Sequence, residues 1–464
     1  MKSVLLFCLV LSQTGFAITL DEYLAQVKKK NRIYSAIDLS VEASNERREA
    51  GDLLLTPQLT ASYALINDKT VPSTLAEQRK TSEYNLGLSK RFSTGTFIGL
   101  TAKTDQYNNE GPPLASPVEY STGGLGITLQ QSLWKDFFGQ GTRLRNQREY
   151  AVNQAETLSL DLRRRGILLE AETSFWDYVV ATEDVKLKQE NLDRARKLDR
   201  WTSNRVNNGI SDRADLMNVK ALSSVRELEL QTTLDELKTQ EVRFRENLDL
   251  TVNEPTPALS SNLVEARPYI NELMQKKNVI KIESYLASLD AQAKKFVSLE
   301  VAESLKPDLT LVGAYNTSSY DPEYNKAVKD ISKTDHPRTY VGLNLTWLFD
   351  TEAKRSQIAA SQKDAWASQY NAEKLKTQGQ TAWTELLRKY QTTQETVKTL
   401  EKIANYQRER AKAEQDKFAK GRTITLNVVT AETDSAEASV RYLRAKSGLR
   451  KLEATTLLFT SIQE

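Results

Sequence analysis

The chain has 464 residues, with 64 Lys and Arg against 61 Asp and Glu, and a formal net charge of +3 at pH 7. This near balance of charge removes the electrostatic basis for nucleic-acid binding. With one Cys and one His, the sequence offers no disulfide framework and predicts no zinc site or other cofactor site.

The first segment has the pattern of a secretory signal peptide. Lys2 precedes a run of apolar residues, and small residues follow at Gly15 and Ala17. The apolar run is too short to cross a bilayer as a helix. We therefore expect cleavage after Ala17, which removes residues 1–17 and with them Cys8. No later segment approaches the ~18 consecutive apolar residues of a transmembrane helix.

The first half of the mature chain, residues 18–252, begins with a helical pattern over 21–55. Alternation of apolar and polar residues then predicts strands, because successive side chains of a strand point to opposite faces. An additional hairpin candidate turns at Gly95. The predicted strands cover residues 57–63, 84–89, 96–101 and 124–130.

The second half, residues 271–464, repeats this order after a linker at 253–270. A helical pattern covers 271–305, and two strands joined by a polar loop follow at 307–315 and 341–347. This half has no counterpart of the additional hairpin. Duplication of a single unit is the simplest account of the two halves, and the short linker predicts that they form one body.

Each half then continues into a very long helix that no proline interrupts, over 142–206 in the first half and 351–419 in the second. At ~1.5 Å per residue, each helix is about 100 Å long, far above the mean of globular proteins. Apolar residues near heptad spacing predict coiled-coil packing against neighbouring helices.

Both long helices end at a glycine turn, at Gly209 and Gly421. Glycine just beyond a helix end accepts the left-handed conformation that closes the helix. A return helix follows each turn, over 212–250 and 426–458. The order helix, strands, long helix, tight turn and return helix therefore occurs twice.

The strands are too few to close into a membrane barrel, since the smallest outer-membrane barrels use about eight. Open strand edges cannot face lipid, because their backbone groups would lack hydrogen-bond partners. If these strands lie in a membrane, several copies of the chain must pool them. The alternative is a secreted β-sandwich that carries long helices.

Two segments around the glycine turns, 205–219 and 417–431, resemble the helix-tip motif of TolC-family outer-membrane efflux proteins. Each has an aromatic or apolar residue before the glycine and Asp or Asn six residues after it, here Asp215 and Asn427. Residues 129–134 also resemble the family's junction between strand and helix. Because these motifs occur in the family's order, the chain resembles the family over nearly its whole mature length.

This resemblance implies an α+β membrane protein that assembles as a homotrimer. Its strands jointly form one transmembrane β-barrel in outer-membrane lipid, and its long helices form an α-barrel of twelve helices in the periplasm. The implied function is the passive exit duct of a tripartite efflux or type I secretion system. Its implied partners are a periplasmic adaptor (membrane fusion protein) and an inner-membrane pump.

The resemblance also assigns residues at the helix tips, where family members close the tunnel. We expect Asp215 to pair with Arg422 or Arg213 in the closed state. The alternative for Asp215 is an acid at a helix start, favoured by the helix dipole, while Asp212 is expected as a helix N-cap. Asn427 and Thr430 stand where the prototype has aspartates. The implied gate comprises Arg213, Asp215, Phe418, Arg422, Asn427 and Thr430, and the implied adaptor contact comprises Asn208, Gly209, Ile210, Lys420 and Gly421.

Residues suited to catalysis are absent from the sequence pattern. His336 stands alone in a loop, and no phosphate-binding glycine loop or nucleophile elbow occurs. We therefore predict that the protein is not an enzyme. The rival reading is a periplasmic or extracellular coiled-coil scaffold or adaptor without a pore.

Overall fold

A computed structural model describes residues 18–69, 77–111, 118–259, 269–276, 278–349 and 351–461. The predicted signal peptide, residues 1–17, lies outside this described part, as do residues 260–268 of the predicted linker at 253–270.

The elements follow the predicted order and extend most of the predicted strands. In the first half they are α1 (Leu20–Lys30), α2 (Arg32–Ala50), a 3-10 turn (Gly51–Leu55), β1 (Gln58–Asp68), β2 (Gln78–Arg91), β3 (Thr96–Glu110), β4 (Glu119–Ser132), a second 3-10 turn (Phe137–Gly139), α3 (Gln140–Asn207) and α4 (Arg213–Asn247). In the second half they are α5 (Tyr269–Met274), β5 (Val279–Lys281), α6 (Ile282–Ser304), β6 (Asp308–Asn316), β7 (Ser319–Asp321), α7 (Tyr324–Lys329), β8 (Arg338–Thr346), α8 (Thr351–Ala419), α9 (Thr425–Thr455), a third 3-10 turn (Thr456–Leu458) and β9 (Phe459–Ser461).

The chain divides into two compact units, and each takes segments from both predicted repeats. The helical unit comprises the described residues within Met1–Val41, Leu158–Leu286 and Lys374–Glu464. The sheet unit comprises Glu42–Thr157 and Ala287–Glu373.

The helical unit is anchored by a capped first helix and an aromatic core. Thr19 and Glu22 form a capping box at the start of α1, which satisfies two backbone N–H groups that a helix start leaves free. Tyr23 stacks on Phe244 with ring centroids 4.4 Å apart and also contacts Phe175. The Tyr23 hydroxyl donates to the Phe244 carbonyl at 3.2 Å, and burial raises the pKa of Tyr23 to about 12.

The prediction of one continuous helix over 271–305 is wrong. A short strand, β5, separates α5 from α6 and pairs with β9 at the C-terminal end of the described chain. Phe459 of β9 is buried against Leu273, Val279 and Leu386. This pairing joins residues about 180 positions apart, so local periodicity could not reveal it.

The sheet unit contains one antiparallel sheet in the order β1-β2-β3-β4-β6-β8, with β7 alongside β4. The hairpin between β2 and β3 confirms the predicted turn, and Gly95 has a φ of +73°. The predicted polar loop of the second half contains β7 and α7, which the sequence pattern did not indicate.

Strand register aligns the apolar side chains of all six long strands on one face. Leu59 opposes Leu88, Leu88 opposes Leu100, and Leu100 opposes Ile127. Across the next pairings, Ile127 opposes Tyr315, and Leu311 opposes Leu343. The most exposed members of this face are Leu59, Leu65, Val341, Leu343 and Leu345, all between 58% and 73% exposed.

The opposite face of the same sheet is mostly polar. It carries residues such as Thr60, Asn85, Thr101, Thr128 and Asn344, which occupy the alternate positions of the same strands. A sheet with an exposed apolar face is unusual for a protein surrounded by water. Among the described residues, β1 and β8 pair on one side only and so form the two edges.

Within the described ranges, no helix combines the length and the apolar character needed to cross a membrane.

Candidate functional site

The helix tips between α3 and α4 and between α8 and α9 hold the residues that the sequence assigned to a gate. Both turns close in the same way. The Ile210 N–H donates to the Arg205 carbonyl at 2.8 Å, and the Gly209 N–H donates to the Val206 carbonyl at 3.0 Å. This is the Schellman arrangement, which satisfies the carbonyls that a helix end leaves free.

The second turn repeats these hydrogen bonds. The Arg422 N–H donates to the Lys417 carbonyl at 2.8 Å, and the Gly421 N–H donates to the Phe418 carbonyl at 3.0 Å. Gly209 and Gly421 both have a φ of +72°, a conformation that residues with a Cβ rarely adopt. The glycine prediction is therefore confirmed at both turns.

Side chains beyond the two turns also correspond. The Ser211 hydroxyl donates to Asp215 Oδ2 at 2.7 Å, and Asn427 Nδ2 donates to Thr423 Oγ1 at 3.1 Å. Each pair joins the second and sixth residues after the glycine. Ser211 and Thr423 were not among the predicted site residues, although their equal spacing from the two glycines was visible in the sequence.

Asp215 is half-buried, and its carboxylate is oriented by Ser211. Within the described residues of this single chain, no ion pair joins it to Arg213 or Arg422, and both arginines are exposed. The predicted pairing concerns the closed state of an assembly and stays a prediction. Asp212 occupies the N-cap position of α4 as expected, but its side chain makes no capping hydrogen bond.

Phe418 lies in the core of the tip and is 2% exposed. It packs with Leu198, Val219 and Val428. The Arg205 guanidinium stacks over its ring at 4.8 Å, a favourable contact between a cation and the negative face of an aromatic ring. Phe418 is therefore positioned to hold the two helix pairs together at the tip.

The second tip also carries an acidic residue, Glu414, that was not among the predicted site residues. Glu414 accepts hydrogen bonds from Lys417 at 2.7 Å and from Thr423 at 2.9 Å. These two bonds, that of Lys417 first, lower the pKa of Glu414. Glu414 therefore links α8 to the residue that leads into α9, and the turn is braced by a charged group at neutral pH.

The remaining predicted tip residues are exposed. Asn208, Lys420, Asn427 and Thr430 lie at the surface, and Ile210 is 63% exposed. An open groove of about 470 Å³ lies beside the two turns. Its lining residues are Trp201, Asn204, Arg205, Ile210, Phe418, Ala419 and Gly421.

Above the tips, charged side chains connect the helices inside the helical unit. Arg194 pairs with Glu432 at 2.9 Å, which links α3 to α9. Lys188 pairs with Glu229 at 3.0 Å, which links α3 to α4. Partial burial alone would raise the pKa of Glu229, but the hydrogen bonds from Lys188 and Arg226 outweigh burial and lower this pKa.

Among the described residues, no group of three or more His, Cys, Asp or Glu side chains could hold a metal ion. His336 lies exposed in the bend before β8.

Comparison with solved structures finds outer-membrane proteins that share this architecture. The outer-membrane channel OprN aligns with a TM-score of 0.66 over 94% of this chain and 89% of its own, at 17% identity. The outer membrane protein VceC from Vibrio cholerae aligns with a TM-score of 0.65 over 94% and 95%, at 12% identity. The Campylobacter jejuni CmeC outer membrane channel aligns with a TM-score of 0.65 over 96% and 87%, at 12% identity.

The chain has the fold of the TolC-family outer-membrane channels. The TolC fold accounts for the long helices, the two glycine turns and the sheet, so the resemblance drawn from the tip motifs is confirmed at the level of fold. No protein-family model and no curated protein matches the chain. At 12–17% identity, the likeness concerns the TolC fold and not a particular cargo.

Proposed function

We propose that this protein is the passive outer-membrane exit duct of a tripartite efflux or type I secretion system. The observation that carries the proposal is the sheet, whose register gathers exposed leucine, valine, isoleucine and tyrosine side chains on one face. Such a face is stable in contact with lipid, because its apolar side chains then avoid water.

We further propose that three copies assemble. The edges of the sheet are β1 and β8, and their unpaired backbone groups would be costly in lipid. Joining β8 of one copy to β1 of the next would satisfy both edges. Six long strands from each of three copies would then enclose one barrel, with the helical part in the periplasm.

A duct of this kind needs no catalytic group and no cofactor, and we propose none. The rival reading, a coiled-coil scaffold without a pore, leaves the exposed apolar face of the sheet without a role. A scaffold would fractionate with soluble periplasmic proteins. The proposed duct would be extracted only by detergent, and its mass by light scattering, corrected for detergent, would be three times that of the mature chain.

We propose that the helix tips bind the periplasmic adaptor, which in turn meets an inner-membrane pump. The groove beside Ile210 and Gly421 offers an apolar recess, and the adjacent side chains of Ile424 and Leu426 are both 62% exposed. Exposed apolar residues that surround a recess are typical of a surface that binds another protein.

The gate is proposed to close through Asp215, Arg213 and Arg422, with Phe418 holding the tip core and Asn427 and Thr430 lining the constriction. In planar bilayers, Asp215→Ala and Arg422→Ala are each expected to increase single-channel conductance, because either change removes one partner of the closing ion pair. Arg338→Ala, at the opposite end of the sheet from the helices, is the control. Unchanged conductance in both tip variants would remove the ion-pair gate while leaving the duct itself in place.

A further inference from the structure

The end of the sheet that joins the helices carries exposed aromatic rings. Phe92 lies at the turn between β2 and β3, Trp134 follows β4, and Trp347 and Phe349 follow β8. Trp347 and Phe349 contact each other with ring centroids 4.8 Å apart, and Phe349 is 77% exposed. Aromatic rings at the end of a membrane-spanning sheet are typical of the boundary between lipid and water.

The backbone between β4 and α3 holds two further rings outward. Asp136 and Phe138 have positive φ values of 56° and 43°, which residues with a Cβ rarely adopt. Phe137 and Phe138 are about half exposed, at 48% and 55%, and touch edge to face. Strained backbone that exposes two phenyl rings has no explanation in core packing and points to an outside partner.

A cavity of about 400 Å³ lies beside these rings, within the sheet unit. Arg91, at the end of β2, and Arg145, in the first turns of α3, both line it, together with Lys135. Among the described residues, neither arginine makes an ion pair or a side-chain hydrogen bond. Lys135 has only a loose ion pair with Asp308, at 3.9 Å.

The carboxylates that line the same cavity are already engaged. Asp136 accepts from the N–H of Thr142 at 2.9 Å and from its hydroxyl at 3.0 Å. Glu303 pairs with Lys306 at 2.5 Å. Glu300 Oε2 lies 2.7 Å from the Arg148 guanidinium, although no N–H points along a hydrogen bond to it. The cavity is therefore left with two free guanidinium groups.

We propose that this cavity binds the phosphate of an anionic phospholipid and so fixes the depth at which the sheet sits in the membrane. Arginine suits the task because its planar fork of N–H groups matches two phosphate oxygens. The exposed rings of Phe137 and Phe138 would contact the adjoining acyl chains. The inference rests on the proposed membrane location of the sheet.

The test uses the full mature protein, reconstituted in nanodiscs of phosphatidylcholine with increasing phosphatidylglycerol and examined by native mass spectrometry for retained lipid. The wild type is expected to retain phosphatidylglycerol in preference to phosphatidylcholine. Arg91→Gln with Arg145→Gln is expected to weaken this preference ~25-fold, since each basic side chain near an anionic lipid surface contributes roughly fivefold. Arg91→Lys with Arg145→Lys keeps both charges and should keep most of the preference.

Arg338→Gln, which removes an exposed arginine from the opposite end of the sheet, is the matched control and should behave as the wild type. An unchanged lipid preference in the double glutamine variant would overturn the inference and leave the duct intact. Equal retention of both lipids by the wild type, or tight binding of inorganic phosphate alone, would also overturn it. Failure of the wild type to enter nanodiscs would overturn the proposed function as well.

Discussion

At the scale of single residues, two glycines fix the geometry of the helix tips. Gly209 and Gly421 share one φ value and one pattern of hydrogen bonds. Apart from the glycine and its chain neighbours, no heavy atom lies within 4 Å of where a Cβ would stand at either residue. Backbone conformation, and not crowding, is therefore the reason for glycine at these positions.

Replacing Gly209 or Gly421 with alanine is expected to destabilise the tip by roughly 1–2 kcal/mol, the usual cost of a left-handed conformation for a residue with a Cβ. Amide hydrogen exchange at Ile210 and Arg422 would report it, since both N–H groups close the turns. Gly448→Ala is the control. This glycine lies within α9 with open space around it, so alanine should leave stability unchanged or raise it by about 0.5–1 kcal/mol. Slower exchange in the tip variants would contradict the prediction.

Asp184 of α3 makes the stability of the helical unit depend on pH. Burial raises the pKa of Asp184, and the nearby cations Lys188 and Arg444 offset this only in part. Its Oδ1 atom is buried without a hydrogen-bond partner among the described residues. The pKa of Asp184 is therefore higher in the folded protein than in the unfolded chain. Its protonated carboxyl contributes to stability below the unfolded pKa, and this contribution is lost as the pH rises through the folded pKa.

Asp184→Asn should therefore raise the midpoint of thermal unfolding at pH 7, and this gain should shrink as the pH falls below the carboxyl's ordinary range. Calorimetry at several pH values, in one detergent and at one protein concentration, would measure it. The exposed Asp193, in the same helix, supplies the control variant Asp193→Asn, for which no comparable gain is expected. A lower midpoint for Asp184→Asn at pH 7 would show that the carboxylate has a stabilising partner in the assembly.

At the scale of elements, the pairing of β5 with β9 ties the C-terminal end of the described chain to the start of α6. Phe459 is 2% exposed, and its ring lies 5.3 Å from that of Trp383 on α8. One short strand thus brings together segments that the long helices separate in sequence.

Phe459→Ala is expected to lower the free energy of unfolding by about 3 kcal/mol, because it leaves a cavity in a buried cluster. Denaturant titration followed by circular dichroism would measure the loss. Tyr406→Ala removes a ring of similar size that is 70% exposed on α8, and it should cost far less. Equal losses for the two variants would mean that the pairing contributes little.

At the scale of the whole molecule, membrane insertion depends on which face of the sheet meets lipid. Leu343 and Asn344 are adjacent in β8 but lie on opposite faces. Leu343→Arg is expected to destabilise the membrane-inserted state by ~2–4 kcal/mol, the cost of a cation near the middle of the bilayer. Asn344→Arg changes the neighbouring residue in the same way but on the polar face, which the proposed barrel would turn inward, so its cost should be small.

Folding of the two variants into lipid vesicles under a urea gradient would give both values. A larger penalty for Asn344→Arg would reverse the assignment of faces. Equal small penalties would mean that β8 does not lie in lipid, which would remove the support for the duct.

Much of this architecture was predictable because its signals are local. Long helical patterns that no proline interrupts gave α3 and α8 within two residues of their bounds, and period-2 alternation gave the six long strands. Gly209 and Gly421 marked both tips, since only glycine takes the left-handed turn without strain. The side-chain hydrogen bonds of Ser211 and Thr423 were not predicted, because each depends on a partner four residues away in a helix that starts between the two residues.

The tertiary structure alone decided what distant segments do to one another. Val279 pairs with Ser461, so the predicted helix is interrupted, and no local pattern carries that information. Likewise, alternation indicated that each strand had an apolar face, but only the register placed Leu59, Leu100 and Leu343 on the same one. Periodicity is a property of neighbouring residues, whereas a shared face depends on contacts that the chain makes only after it has folded.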